Sequence, residues 1–353
     1  MDKLFSAIVC EDIDKPAKTT KVNYEIFNKR LDDPKLQSLQ NFIGDQILVK
    51  IHYSTLNYKD ALAVSAKKRI VERVPLILGV DLAGEVLEVR AHTKNPSLKV
   101  GDSIISGGSR LGEVYNGGLS QYTMIDFKHA IRLPDLQNPN IFKIAMTLGT
   151  AGLTAMLCVR EIEKNCSRAS LKTKYPVAVT GATGGVGLLS IHLLKVLGYK
   201  VVAISNLDNK KEQMLRKYQV DDVIDIRDYV TDKRSLKSQR FLGAIDAVGG
   251  DVLSELLKEI VYYGCVTSTG MVQSDIFTST VYPFIVRGIK LVGVESIATP
   301  KVQKTKAWAD LYRLVDFELI RDDIKEISLN EVPKYSNKLI ANEISGRIVV
   351  RCN

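Results

Sequence analysis

Residues 178–187 read Ala-Val-Thr-Gly-Ala-Thr-Gly-Gly-Val-Gly, an apolar stretch that turns through Gly181, Ala182, Thr183, Gly184, Gly185, Val186 and Gly187 into a helical pattern. Glycines at such a turn let the main chain approach a pyrophosphate closely, and the free amides at the start of the following helix favour its negative charge. The chemistry is that of holding a dinucleotide, here a nicotinamide carrier of hydride. Where an enzyme using NAD places Asp or Glu against the ribose 2′-hydroxyl, this chain has Ser205-Asn206, followed by Lys210 and Lys211. Hydroxyl and amide donors with ammonium groups nearby favour a 2′-phosphate and hence NADPH, although either lysine can equally do no more than solvate the next helix.

Other chemistries lack their residues. Cys10, Cys158, Cys166, Cys265 and Cys352 are scattered without a C-x-x-C pair, and His52, His92, His129 and His192 show no ligand spacing, so no metal site is read. Scattered thiols also argue against a disulfide framework and fit a reducing cytoplasm. The formal charge of +9 comes from Lys and Arg interleaved with acids, a solvated basic surface suited to polyanionic small molecules and not a nucleic-acid face. No apolar run is read as reaching membrane-spanning length; even Leu188 to Leu197 contains His192 and Lys195. The N-terminal apolar run is soon followed by Glu11, Asp12 and Asp14, unlike a secretory leader.

The elements that must position the loop follow from periodicity. Up to about residue 135 short β-type runs such as Gln46 to Tyr53 dominate, whereas from about residue 140 helices alternate with buried strands, as in a parallel sheet covered on both faces. The reading gives helices over Ile141 to Lys164, Val186 to Leu197, Asn209 to Tyr218 and Leu253 to Ile260. Strands are read over Val177 to Thr180, Val201 to Ile204, Val223 to Ile226, Ala244 to Ala247, Cys265 to Ser268 and Lys290 to Val294. Six strands complete a dinucleotide fold. An amphipathic helix with Trp308 and Leu311 and a strand from Arg347 to Arg351 follow. The expected α/β organisation is a first domain of residues 1–137 and 297–353 and a doubly wound nucleotide domain of residues 138–296.

Several stretches carry a resemblance across nearly the whole chain: Ser54-Thr55-Leu56-Asn57-Tyr58-Lys59-Asp60-Ala61-Leu62, Gly79-Val80-Asp81-Leu82-Ala83-Gly84, Leu148-Gly149-Thr150-Ala151-Gly152, Gly243 to Gly249, Pro283 to Arg287 and Gly293 to Ser296. With them the chain resembles the medium-chain dehydrogenase/reductase superfamily, and within it the zinc-free, quinone oxidoreductase-like branch and its acrylyl-CoA reductases. The resemblance implies a GroES-like β-barrel catalytic domain, an inserted Rossmann domain, a cleft where they meet, and a homodimer joined through the nucleotide-domain sheets. It places Tyr58, Thr150, Val248, Gly270 and Asn342 near the cofactor. Two departures stand out. Close relatives hold the 2′-phosphate with Ser-Gly-Arg, whereas Ser205-Asn206-Leu207 lacks the arginine, and the region from Lys21 to Asn41 is longer and more polar.

In that family Asp81 stands where zinc-dependent alcohol dehydrogenases have a histidine ligand. Hydride addition to an enone or enoyl thioester produces a delocalised enolate that hydrogen-bond donors can stabilise. The expected reaction is NADPH-dependent reduction of acrylyl-CoA or another short enoyl-CoA. Quinones or free enones are the alternative substrates, and a non-enzymatic NADPH sensor or RNA-binding protein is the alternative class. Tyr58 either donates a proton or packs against the nicotinamide; Asn57 is the second catalytic candidate, with positioning of the segment as its alternative, and Asp60 is read as a helix-start residue. The glycine-rich stretch Ser106 to Gly118 is read as a mobile lip. Arg110 and Arg287 are candidates for coenzyme A phosphates, or solvated surface residues.

Overall fold

A computed structural model describes residues 4–23, 45–90, 97–134, 138–166, 174–229 and 232–353. His92 and most of the polar N-terminal region from Lys21 to Asn41 lie outside them. The chain forms two compact units, the first comprising Met1–Thr150, Ile297–Thr305 and Arg321–Asn353 and the second Ala151–Ser296 and Lys306–Ile320. The divisions fall after Thr150 and after Ser296. The first lies within the helical stretch Ile141–Asn165, next to its kink at Gly149, and the stretch 306–320 groups with the second unit.

Unit one is built mainly from antiparallel strands. β1 (Leu4–Cys10), β2 (Lys18–Asn23) and β4 (Leu76–Ile77) form a small sheet in the order β2-β1-β4. A larger one runs β15 (Ile324–Ser328), β16 (Arg347–Arg351), β3 (Gln46–Thr55), β5 (Asp81–Arg90), β6 (Ser103–Gly107) and β8 (Ile131–Arg132), with β7 (Tyr122–Asp126) paired to β3. Burial alternates only partly along β3 and β5, whose central residues Val49, Ile51, Leu82 and Val86 enter one apolar core with Ile348 and Val350 of β16. The last strand thereby closes the N-terminal half, through Val349 to Arg351 opposite Tyr53 to Thr55.

Unit two holds a six-stranded parallel sheet ordered β11 (Asp222–Asp225), β10 (Val201–Ser205), β9 (Val177–Thr180), β12 (Phe241–Asp246), β13 (Ile260–Ser268), β14 (Lys290–Gly293). β9 and β12 are buried along their whole length, as central strands covered on both faces must be. The order reverses at β9, and an open α/β sheet binds ligands beyond the carboxyl ends of its strands at such a point.

In chain order the helices are α1 (Tyr58–Val64), α2 (Ile141–Asn165), α3 (Gly185–Val196), α4 (Asn209–Lys217), α5 (Gly250–Glu259), α6 (Tyr282–Arg287), α7 (Lys301–Leu314), α8 (Phe317–Ile320) and α9 (Val332–Ile340). β15, α6 and α9 fall outside the elements that periodicity predicts, although α6 and α9 each carry a proline in the first turn, where its missing N–H costs nothing. No membrane-length apolar run is read from the sequence, yet α2 is long and apolar enough to cross a membrane by length and composition. Here 72% of its most apolar window is buried within the protein.

Candidate functional site

In unit one the organising group is Asp81, fully buried at the start of β5. A buried carboxylate needs donors on both oxygens, and this one draws them from three elements. Thr55, at the end of β3, donates its hydroxyl to Oδ2 at 2.6 Å, and the Asn57 amide donates to the same oxygen at 2.9 Å. Thr150 donates its main-chain N–H to both oxygens at 3.0 Å and its hydroxyl to Oδ1 at 2.5 Å.

The Thr150 amide faces Asp81 because α2 breaks at Gly149, whose φ of +50° is strained for residues with a side chain. A Cβ there would lie 2.9 Å from both Asp81 Oδ2 and Arg347 Nη2. Gly107 is required in the same way, since its Cβ would meet Asp81 Oδ1 at 2.6 Å.

Arg347, buried at the start of β16, completes the cluster. It donates Nη1–H to Asn57 Oδ1 at 3.0 Å and Nε–H to the Thr147 carbonyl at 2.8 Å. Burial lowers its pKa, opposed by the charges of Asp81 and Asp60. Asp60 accepts from the main chain of Asn57 and of Val80 at 2.9 Å each, fixing the start of α1 and the approach to β5. Burial pushes its carboxyl up to about 7 against these hydrogen bonds. Both ends of the Asn57 amide are thus occupied by protein groups. These bonds tie the segment around Asn57 to β3, β5 and β16.

What this network positions is Tyr58, the first residue of α1. Its ring is half-buried, and its phenol makes no hydrogen bond among the described residues. The neighbouring Lys59 is held by Glu113 at 2.6 Å.

The stretch from Ser106 to Gly118 is not a free lip. Ser106 and Gly107 belong to β6, Gly108 donates its N–H to the Thr150 hydroxyl at 3.1 Å, and the buried Lys304 donates to the Gly108 carbonyl. Gly117 and Gly118 donate to the carbonyls of Ile77 and Gly79, where a Cβ on Gly118 would lie 1.9 Å from the Asp81 carbonyl oxygen. Its irregularity serves close main-chain packing.

In unit two the predicted phosphate loop lies between β9 and α3. Gly181 turns with φ +58°, and a Cβ on Gly187 would stand 2.3 Å from the Gly181 carbonyl oxygen, so loop and helix approach as only glycine permits. Gly184 caps α3 without a side-chain hydrogen bond, and the first amides of a helix have no partner within it. Ala182 and Thr183 are buried, while Gly185 and Val186 begin the helix. This cradle fits a dinucleotide pyrophosphate.

Ser205, at the end of β10, lies with its hydroxyl 3.1 Å from that of Thr183. Asn206 and Lys210 are exposed beside it, whereas Lys211 leans toward Asp208, which caps α4. Asp246, within the matching stretch Gly243 to Gly249, accepts the Thr180 hydroxyl at 2.7 Å and the Gly249 N–H at 3.0 Å. It thereby shapes the turn that brings Val248 beside Gly181. Gly270 packs against the same turn, where its Cβ would lie 2.2 Å from the Ala247 carbonyl oxygen.

Asn342 follows α9 with φ +58°, the left-handed helix-end position that Asn tolerates. Arg110 is exposed and pairs with Glu72. Arg287 is buried, and its guanidinium donates to the carbonyls of Lys258, Ile260 and Lys237, which removes it from the coenzyme A phosphate candidates. Among the described residues no group of three or more His, Cys, Asp or Glu side chains could hold a metal, and all five cysteines are buried and free.

Comparison with known proteins gives this geometry its context. Residues 44–135 match the alcohol dehydrogenase GroES-like domain family, and residues 185–313 match the zinc-binding dehydrogenase family. The chain is 37% identical over 310 residues to the probable acrylyl-CoA reductase AcuI of Escherichia coli, covering 88% of this chain and 92% of that protein. It is also 37% identical over 319 residues to YhfP of Bacillus subtilis, whose name carries a quinone oxidoreductase assignment, covering 90% and 93%. Among solved structures, Escherichia coli YHDH with bound NADPH aligns over the full length of both chains with a TM-score of 0.84 at 33% identity. Bacillus subtilis yhfP with bound NAD aligns over 99% and 100% with a TM-score of 0.84 at 34% identity. The chain belongs to the medium-chain dehydrogenase/reductase superfamily, with a GroES-like domain, a Rossmann-like domain and relatives named as acrylyl-CoA reductase and quinone oxidoreductase.

Proposed function

We propose that the protein is an NADPH-dependent oxidoreductase that reduces the activated double bond of a short enoyl-CoA, acrylyl-CoA first among them. The observation that carries the reading is that one chain holds two prepared groups: a glycine cradle for a dinucleotide and the Tyr58 phenol, unbonded among the described residues, on a segment fixed by buried charge. The acrylyl-CoA reductase relative and the NADPH-bound structural neighbour support substrate class and cofactor. Bound NADPH supplies hydride to the β-carbon of the substrate.

The chain's own residues do the rest. Gly181 to Gly187 and the start of α3 receive the pyrophosphate, and the Asp246-bound turn sets Val248 beside that loop. Tyr58 Oη delivers a proton to the α-carbon side of the enolate, its position maintained by Asn57, Asp60, Asp81 and Arg347. Quinone reduction is the second reading, favoured by the Bacillus subtilis relative's name.

The partner of this reading, besides substrate, is a second copy of the chain. β14 is an edge strand, and Tyr262, Tyr263, Val281, Ile285 and Val286 around it are exposed apolar side chains. The deciding experiment follows NADPH absorbance on adding acrylyl-CoA, with NADH and a soluble quinone in parallel. Saturable oxidation with NADPH and acrylyl-CoA is expected, and turnover confined to the quinone would overturn the acyl-CoA assignment.

A further inference from the structure

The turn after β10 reads Ser205-Asn206-Leu207 and offers no cation of its own for a 2′-phosphate. The adjacent parallel strand does. β10 and β11 are in register with Ser205 opposite Asp225, so the residues that follow each strand leave the sheet side by side. Two positions beyond Asp225 lies Arg227, and its Nη2–H donates to the Leu207 carbonyl at 3.2 Å. A guanidinium is therefore laid along the same turn that presents Ser205.

The way Arg227 is held leaves one edge open. Asp225 accepts Nε–H at 2.9 Å and Nη2–H at 2.5 Å, and it also accepts the Arg227 main-chain N–H at 2.9 Å. Asp225 is largely buried, with 14% of its side chain exposed, whereas Arg227 is 72% exposed. The carboxylate thus grips one side of the fork from beneath. The Nη1 donors have no partner among the described residues and face outward from that grip. Planar guanidinium with free N–H groups is the donor best matched to phosphate oxygens.

We propose that Arg227 is the cofactor-specificity residue of this chain, its Nη1 edge receiving the ribose 2′-phosphate together with the Ser205 hydroxyl. The ligand class is a 2′-phosphorylated adenosine nucleotide. This rests on the NADPH reading above and assigns the cation that the turn itself lacks. Asp225 acts as a positioning residue, since it contributes no donor to phosphate and fixes the direction of the fork. Lys210 adds an exposed positive charge nearby without a comparable anchor.

The test is calorimetric binding to the full-length protein of 2′,5′-ADP, which carries the 2′-phosphate without a nicotinamide, beside 5′-AMP, which lacks it. The native protein is expected to bind 2′,5′-ADP at least about tenfold more tightly than 5′-AMP. Arg227→Gln is expected to remove about tenfold or more of the 2′,5′-ADP affinity and leave 5′-AMP unchanged, with Arg227→Lys between the two. Discrimination retained in full by Arg227→Gln would overturn the assignment and leave the NADPH reading standing. An equal loss for both ligands would also overturn it, as a general disturbance of the turn. A native protein that does not distinguish the two ligands would overturn the assignment and the NADPH reading together.

Discussion

At the carboxyl ends of the strands in unit two the geometry comes from what is missing. Gly181, Gly187 and Gly270 omit side chains so that main chains approach one another and leave amides available. In unit one the position of α1 comes from groups added to the interior: two carboxylates, a guanidinium, an amide and two hydroxyls that satisfy one another. The first device is open toward a ligand, while the second is closed and spends its hydrogen-bonding capacity on the fold. A phosphate loop must offer donors. A frame for a proton donor must hold still, and buried polar networks do so only when every member is paired.

The largest effect should come from breaking the closed device. Arg347→Leu removes the counter-charge of Asp81 and Asp60 and strands the Thr147 carbonyl. It is expected to cost about 3–5 kcal/mol, as loss of one partner from a buried charge cluster typically does. Urea unfolding measures it, and 2′,5′-ADP binding to the folded fraction should persist because the cradle lies in unit two. A cost below about 1 kcal/mol would show that the buried network is not what holds α1.

A smaller effect sharpens the contrast through pH. Burial lowers the His129 imidazole to about 4, and its Nε2 has no partner among the described residues. The unfolded chain takes up that proton near pH 6.5 and the folded one only near 4. The stability it contributes is therefore full above pH 6.5 and is lost as pH falls from 6.5 through 4. The difference in unfolding free energy between the native protein and His129→Gln should change by roughly 2 kcal/mol between pH 7 and pH 4 after allowance for solvent screening. A constant difference over that range would show that the imidazole is protonated alike in both states.

The two regions also differ in what a reader of the chain can see. The phosphate loop, β9 and α3 are contiguous, so spacing and periodicity identify them together, and the parallel order follows from alternating elements. The Asp81 network joins residues up to 290 positions apart, and no local pattern connects Asn57 to Arg347. The signal that was there is chemical. Asp81 and Arg347 each open a run of buried apolar residues, and a charge in such a run needs a partner of opposite sign. Ser106 to Gly118 misled for a related reason, since glycines that allow close packing look in sequence like glycines that allow movement. Arg287 looked free because a guanidinium bound to carbonyls leaves no partner residue to find. Arg227 shows the same limit, as its nearness to Leu207 follows from strand register.

We propose that the buried network of unit one exists to present the Tyr58 phenol to substrate. Single-turnover reduction of acrylyl-CoA by NADPH in native protein and Tyr58→Phe tests it, with NADPH affinity measured alongside. The rate should fall about tenfold, less than a full general-acid contribution because water can replace the phenol, and NADPH affinity should hold. An unchanged rate would contradict the claim and reduce Tyr58 to a packing residue.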